Sequence, residues 1–378
     1  MLFFRGHTNI RFPHVAAVGS VVCAAALLAA CKHNSNTTIT KGLWIANGPD
    51  VVEYIPSQLT GGVMDTAPHL MNISGSFGSP QGVTFDAKGN LWVMDPGAAI
   101  GGTPTPALLE FSAAQLSTLA STNSPDPVAI ITSTSLAFPQ QSVFDSAGNQ
   151  WVTDHNNNTV LVFSAAQLAM TGTNNLMPVI TITSTSFNGP LGIVFDSSGN
   201  LWIANNGGVP GTNNSTSAVG TSIVEFAKAN VPAVPTSGVL TPDLTPTITL
   251  SDDGSGSVQG PWELAFDSSG NLWSSNSNTP FTLVEFAKAN LAATGTPTPA
   301  ITISPTTDGG NATLNMTNGL CFDNVGDIAA TNATTPLGSV PFYKAPLKTG
   351  MTTPSTFLVG MTTTLNAPAG CNFGPLIK

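Results

Sequence analysis

The sequence is poor in charge. Lys, Arg, Asp and Glu together make 8% of its 378 residues, with 10 basic against 20 acidic side chains and a net charge of −10. That is about a third of the usual charged share, so the polar surface must be built from Thr, Ser, Asn and Gly. Beyond the extreme N-terminus there is no Lys/Arg cluster, and an acidic chain repels phosphate backbones, so nucleic acid is not a partner. Cysteine is scarce, at four residues, and there is no C-x-x-C pair. G-x-S-x-G, H-E-x-x-H and a phosphate loop are also missing, which removes the readily recognised hydrolase, zinc-protease and nucleotide chemistries. Disorder is excluded as well, because apolar residues make up 41% of the chain.

One long uncharged run is present, and it lies at the N-terminus. Arg5 and Arg11 precede Val15 to Ala30, a run of roughly 24 Å as a helix, short for a membrane span. It ends in Leu28-Ala29-Ala30-Cys31, which resembles the bacterial lipobox. Residues 1–31 are therefore expected to be a lipoprotein signal, with Cys31 lipidated, and 32–40 a polar tether. An ordinary secretory signal is the alternative. Lys32 after the cysteine, by resemblance to enterobacterial sorting, favours the outer membrane. The expected location is the bacterial envelope, with the lipid anchor as the membrane contact.

The rest of the chain repeats. "GVTFDAKGNLWVMD" (82–95), "QSVFDSAGNQWVTD" (141–154), "GIVFDSSGNLWIAN" (192–205) and "ELAFDSSGNLWSSN" (263–276) are full copies, and "GLCFDNVGDIAATN" (319–332) is a weaker one. A sixth is divided: "GLWIAN" at 42–47 is a second half, and "PAGCNFG" at 368–374 a first half. Each copy reads as a strand ending at Phe, an Asp-x-x-Gly turn whose Gly takes φ > 0, and a second strand carrying Trp, replaced by Ala329 in the weak copy. A third strand ends at Tyr54, Phe111, Phe163, Phe226, Phe286 and Phe342, and a fourth follows. Six units of four short strands predict an all-β, six-bladed β-propeller over 41–378, closed by pairing of its N- and C-terminal strands.

The pattern P-x-G-x-x-F-D-x-x-G-N-L-W-V-x-D resembles the NHL-repeat propellers and, more broadly, the streptogramin lyase and gluconolactonase groups. The resemblance implies the propeller fold. Lyase-like members use a His/Glu pair with Mg²⁺ and lactonase-like members an acidic, Asn-rich metal site; neither set maps onto this chain residue by residue.

Loops joining second to third strands and blade to blade share one face and vary most: 96–107, 206–221, 251–260 and 305–318. A ligand is expected there, around the central opening. An Asx ends every second strand: Asn47, Asp95, Asp154, Asn205, Asn276 and Asn332. Repetition in every unit favours a turn cap over a site. Departures from symmetry are better candidates. Glu263 and Gln141 stand where the other units have Gly, and Trp262 precedes Glu263. Glu263, Asp154, His155 and Asp95 form a candidate set for a divalent cation, the only cofactor considered.

Cys321 and Cys371 lie in first strands of adjacent units. They are either bridged or buried free thiols; their positions relative to Phe differ by one, which suggests opposite faces. The leading expectation is a monomeric, non-enzymatic binding or scaffold module taking a protein, glycan or small molecule on its loop face. The alternative is a metal-dependent lyase or lactonase at the channel mouth. A glycan-binding reading rests on Trp262.

Overall fold

A computed structural model describes residues 38–376, except 74, 75, 120–123, 208–220, 335, 336, 351 and 352, and the backbone alone at 70–72. The signal segment with Cys31, the tether up to 37 and most of the loop 206–221 lie outside the described residues. Six antiparallel blades are present, and the described helices are single short turns such as Ala113–Leu116 and Ala165–Leu168. Among the described residues no helix is long and apolar enough to cross a membrane.

The ring closes as the divided repeat requires. Pro368–Gly374, at the C-terminal end, pairs with Gly42–Asn47, so Leu43 opposes Phe373 and Ile45 opposes Cys371. Blade 1 then continues through Asp50–Tyr54 and Leu70–Ile73. The first strands of blades 2 to 6 are Gly82–Phe85, Pro139–Phe144, Pro190–Phe195, Pro261–Phe266 and Thr317–Phe322. With Pro368–Gly374 they contact one another in sequence around the axis.

The motif residues have separable jobs. In blade 2 the Asp86 carboxylate accepts the amides of Lys88 and Asn90, at 2.8 and 2.9 Å, and Gly89 sits at φ +81°. The Asn90 side-chain Oδ1 accepts the amide of Ala113, at 2.9 Å, tying the turn to the helical turn after the third strand. Asn149, Asn200 and Asn271 repeat this link, and Asp327 makes it in blade 6.

Blades pack face to face through an aromatic clasp. The Trp of one blade meets the Phe of the next edge-on: Trp44–Phe85 at 5.6 Å, Trp92–Phe144 at 6.2 Å, Trp151–Phe195 at 5.6 Å, Trp202–Phe266 at 6.0 Å and Trp273–Phe322 at 5.9 Å. Each clasp contributes about 0.5–1.5 kcal/mol beyond its buried area. At the sixth interface, where Ala329 replaces Trp, Phe342 meets Phe373, and Cys321 and Cys371 form a disulfide with Cα atoms 5.9 Å apart. The one-residue offset between the cysteines is what lets them meet: opposite faces of equivalent strands in neighbouring blades are the faces that touch. The third-strand aromatic of this blade is Tyr343, opposite Ile328, and not Phe342, which opposes Ala329.

Two further features were not read from the sequence. Register skips in the first strands place two steps of the second strand against three of the first, as between Val152/Ser142 and Asp154/Pro139. Such a bulge leaves an amide outside the ladder, and hydroxyls collect it. Thr153 accepts the amide of Gln141 at 3.2 Å and donates to Leu191 O of the next blade at 2.6 Å. Ser275 does the same between Glu263 N and Asn318 O, and Thr331 between Gly319 N and Ala369 O. The outer edges of blades 2 to 6 are also covered. Gly172–Asn175 of blade 3 pairs in parallel with Ala129–Thr132 of blade 2, and Gly62–Met64 of blade 1 with Thr356–Val359 of blade 6. Shorter bridges from Leu240, Asp243 and Gly295 do this for blades 3 and 4, and Gly350 N does it for blade 5 through Thr302 O, at 3.2 Å. Covered edges do not template intermolecular pairing.

Candidate functional site

The Asx side chains that end the second strands are buried, and all six bond the loops beside them. Asp95 accepts the amides of Gly78 (2.8 Å), Ser79 (3.0 Å) and Gly97 (2.8 Å). Asp154 accepts those of Ala137 (2.6 Å) and Phe138 (3.0 Å). Asn205 accepts from Asn188 N at 3.1 Å and donates to Ser186 O at 2.8 Å; Asn332 accepts from Asn315 N at 3.0 Å and donates to Thr313 O at 2.9 Å. Asn276 and Asn47 work likewise. Asp stands where the loop presents two N–H groups, and Asn where it presents one N–H and one C=O. Burial pushes the Asp95 and Asp154 carboxyls above the usual range, and their accepted amides pull them partly back.

His155 is also internal. Its ring Nδ1 lies 3.0 Å from Asn156 Oδ1, and its ring packs edge-on against Phe138, 6.3 Å between centroids. Burial holds its pKa below the ordinary histidine value. The proposed Glu263/Asp154/His155/Asp95 set is not assembled: among the described residues no three His, Cys, Asp or Glu side chains are grouped to hold a metal. Each Asp instead serves the loop of its own blade, because buried amides must find acceptors.

Gln141 and Glu263 lie buried in the ring of first strands. Gln141 fills space left by glycines. Its side-chain amide donates to Gln81 O at 3.4 Å, and a Cβ on Gly370 would come within 2.3 Å of its Nε2. Glu263 has no cation near it, its Oε2 has no hydrogen-bond partner, and burial raises its pKa well above the carboxylate range.

Trp262 lines a cavity of about 230 Å³ at the centre of the loop face. Its residue is 6% exposed, and its indole Nε1 finds no acceptor. Blades 1, 2, 4, 5 and 6 all contribute to the wall, among them Gln81, Asn206, Ser277, Met316, Asn318 and Ala367. The polar members are pre-oriented. Asn206 donates to Ser277 Oγ at 3.0 Å, Ser277 donates to Gly260 O at 2.9 Å, and Gln81 Nε2 donates to both Ser79 O and Ser79 Oγ at 3.0 Å.

Met316 and Ala367 were not singled out in the sequence. Both are left-handed, at φ +49° and +48°, and both line the cavity. The equivalent positions in blades 4 and 5 are Gly189 and Gly260, at φ +63° and +61°. In these four blades the loop entering the first strand takes a left-handed residue, while Ser79 and Phe138 hold the place in blades 2 and 3 without one. Blades 4 and 5 supply Gly, while blades 6 and 1 hold a side chain there at a cost of about 1–2 kcal/mol each. The sequence carries no clear signal for this, since Gly-Pro stands at only two of the six equivalent positions and Ser79-Pro80, Phe138-Pro139, Met316-Thr317 and Ala367-Pro368 at the others.

The predicted loops are partly ordered strand. Residues 96–107 prolong the second and third strands of blade 2 into a hairpin, Leu91–Ile100 with Thr103–Phe111. Within 305–318 lies a small hairpin, Thr307–Asp308 with Asn311–Ala312.

No protein-family model matches the chain, and no curated protein matches it. Solved structures do. A Bacteroides caccae protein of unknown function aligns at 9% identity over 89% of this chain and 99% of its own, with a TM-score of 0.55. A Bacteroides fragilis protein described as a putative 6-phosphogluconolactonase aligns at 10% over 90% and 99%, with a TM-score of 0.50. A streptogramin B lyase structure aligns at 15% over 71% and 69%, with a TM-score of 0.39. The chain is a six-bladed β-propeller similar in fold, and in fold alone, to the two Bacteroides proteins.

Proposed function

We propose that this chain is an envelope-anchored binding module that holds a small ligand in the mouth of its central channel. The observation that carries the reading is where symmetry breaks. Trp262 is the one large aromatic at its position, Met316 and Ala367 are left-handed without being Gly, and all three line one cavity. Regular positions carry caps, turns and clasps; irregular ones gather here. Two residues kept in an unfavourable conformation are a cost that a ligand contact explains. Anchoring rests on the lipobox-like Leu28-Ala29-Ala30-Cys31. The lyase or lactonase reading has no grouped metal ligands among the described residues to support it.

The test is a thermal-shift screen of the full chain against neutral sugars, nucleosides, amino acids and small carboxylates. Compounds that raise the melting temperature of the native chain are expected to fail with Trp262→Ala. Hits that survive that change place the ligand elsewhere. Membrane fractionation of Cys31→Ser tests the anchor, with release from the membrane fraction expected.

A further inference from the structure

We infer that the propeller rests the face of its Asp-x-x-Gly turns on the phospholipid headgroups that hold its anchor, so that the channel mouth opens away from the bilayer. The inference depends on the anchored reading of Leu28-Ala29-Ala30-Cys31 and adds which face meets the membrane.

The first argument is where the chain enters the ring. One side chain of blade 6 holds the entry. Asn324 Nδ2 donates to Thr38 O at 3.0 Å, and Asn324 Oδ1 accepts from Thr40 N at 2.9 Å and from Thr40 Oγ1 at 3.2 Å. Asn324 lies in the turn 323–326, so the entry is on the turn face. Seven Cα steps separate Cys31 from Thr38, about 25 Å of fully extended chain at most. A second strand of five or six residues is itself roughly 17–20 Å tall. A tether of that reach serves a bilayer beside the turn face, and it would be nearly used up in climbing a blade to the loop face.

The second argument is charge. The described residues include six lysines and no arginine, and every one of the lysines is exposed at this same end. Lys41 precedes the strand Gly42–Asn47, Lys88 sits in the turn before Leu91–Ile100, and Lys228, Lys288 and Lys344 follow the third strands of blades 4, 5 and 6. Lys348 lies in the same connection as Lys344. Carboxylates share the face, but they are drawn inward. Asp86, Asp145, Asp196, Asp267 and Asp323 accept amides of their own turns, and Asp327 accepts Ala345 N. Asp126 is the exposed acid at this end. The loop face has the opposite balance: Asp50, Asp252, Asp253 and Asp308 stand in or beside its loops, with no lysine among the described residues there. An anionic headgroup layer therefore attracts one end of the ring and repels the other. The attraction acts over a Debye length, ~8–10 Å in physiological salt, and the tether keeps the face close enough to find it.

The experiment places a fluorophore on Ala87→Cys, in a turn, or on Thr103→Cys, in the blade 2 hairpin of the loop face; both positions are exposed. Cys321 and Cys371 are bridged and do not compete for the label. The full lipid-bearing chain is added to vesicles of equal parts phosphatidylcholine and phosphatidylglycerol with a short-range quencher on the headgroups. Quenching is expected to be several-fold stronger at residue 87 than at residue 103. The difference is expected to shrink in high salt, in phosphatidylcholine alone, and in the triple variant Lys88→Glu, Lys228→Glu, Lys288→Glu. Equal quenching at the two positions, or stronger quenching at 103, overturns the inference and leaves the anchor standing. So does a preference for 87 that ignores salt, lipid charge and the triple variant, since the tether alone would then hold the face. If the chain does not bind the vesicles, or Cys31→Ser binds them equally well, the anchored reading falls and the orientation with it.

Discussion

Glu263 is the residue whose surroundings suit it least. It is buried, it lacks a cation, and one carboxylate oxygen has no partner. Its folded pKa lies well above the unfolded value, so the folded state keeps a proton that the unfolded chain has released. Stability from this group is therefore full below about pH 4.3 and falls as pH rises, by about 1.4 kcal/mol per unit, until the folded pKa is reached. Glu263→Gln is expected to be more stable than the wild type at pH 7, with the gap closing towards pH 4. Urea midpoints across that range read the difference, and a gap that does not change with pH would assign the effect to packing. His155 acts in the other direction. Burial depresses its pKa, so its contribution is lost as pH falls below about 6.5.

Among the elements, the Asx caps give the clearest rule. Asp95 and Asp154 meet loops that offer two amides, while Asn205 and Asn332 meet loops that offer an amide and a carbonyl. Asn332→Asp sets an oxygen against Thr313 O and Ser339 Oγ, which now accept or share the amide's protons at 2.9 Å each. The expected cost is about 1–3 kcal/mol, read from the urea midpoint, because a buried carbonyl loses its donor. Asp154→Asn is expected to cost a similar amount by turning a donor towards Ala137 N or Phe138 N. A neutral outcome for both would mean that the caps are not chosen for polarity.

For the whole molecule, the interface that departs from the others is the one between blade 6 and the C-terminal strand. Blade 6 lacks the Trp of the clasp, and in its place stands the Cys321–Cys371 bridge to the C-terminal strand that closes blade 1. Its sequence separation of 50 residues corresponds to about 4 kcal/mol by loop-closure entropy. The double change Cys321→Ser, Cys371→Ser is therefore expected to lower unfolding stability by up to that amount, measured by urea denaturation. Reductant should reproduce the loss in the wild type and do nothing to the double variant. An unchanged midpoint in both would show that packing such as Phe342 on Phe373 holds this interface without the bridge.

The repeat spacing, the Asp-x-x-Gly turns and the half-motifs at 42–47 and 368–374 determined the propeller, its six blades and its closure, because each depends on local conformation or on a period that any reader of the chain can count. Repetition favoured a cap role for the Asx positions, although Asp95 and Asp154 also stood in the candidate cation set, and only the hydrogen bonds decided between the two. What lay outside the sequence were relations between blades: the meeting of offset cysteines, the hydroxyls of Thr153, Ser275 and Thr331 spanning first strands, and the crossing of one blade's connection to the edge of its neighbour. The convergence of Trp262, Met316 and Ala367 is of the same kind. These residues are 54 and 105 positions away from the first of them, and only the circular arrangement of the first strands sets them around one opening. A one-dimensional pattern fixes which face a side chain takes within its own strand; which neighbour that face meets is a property of the closed ring.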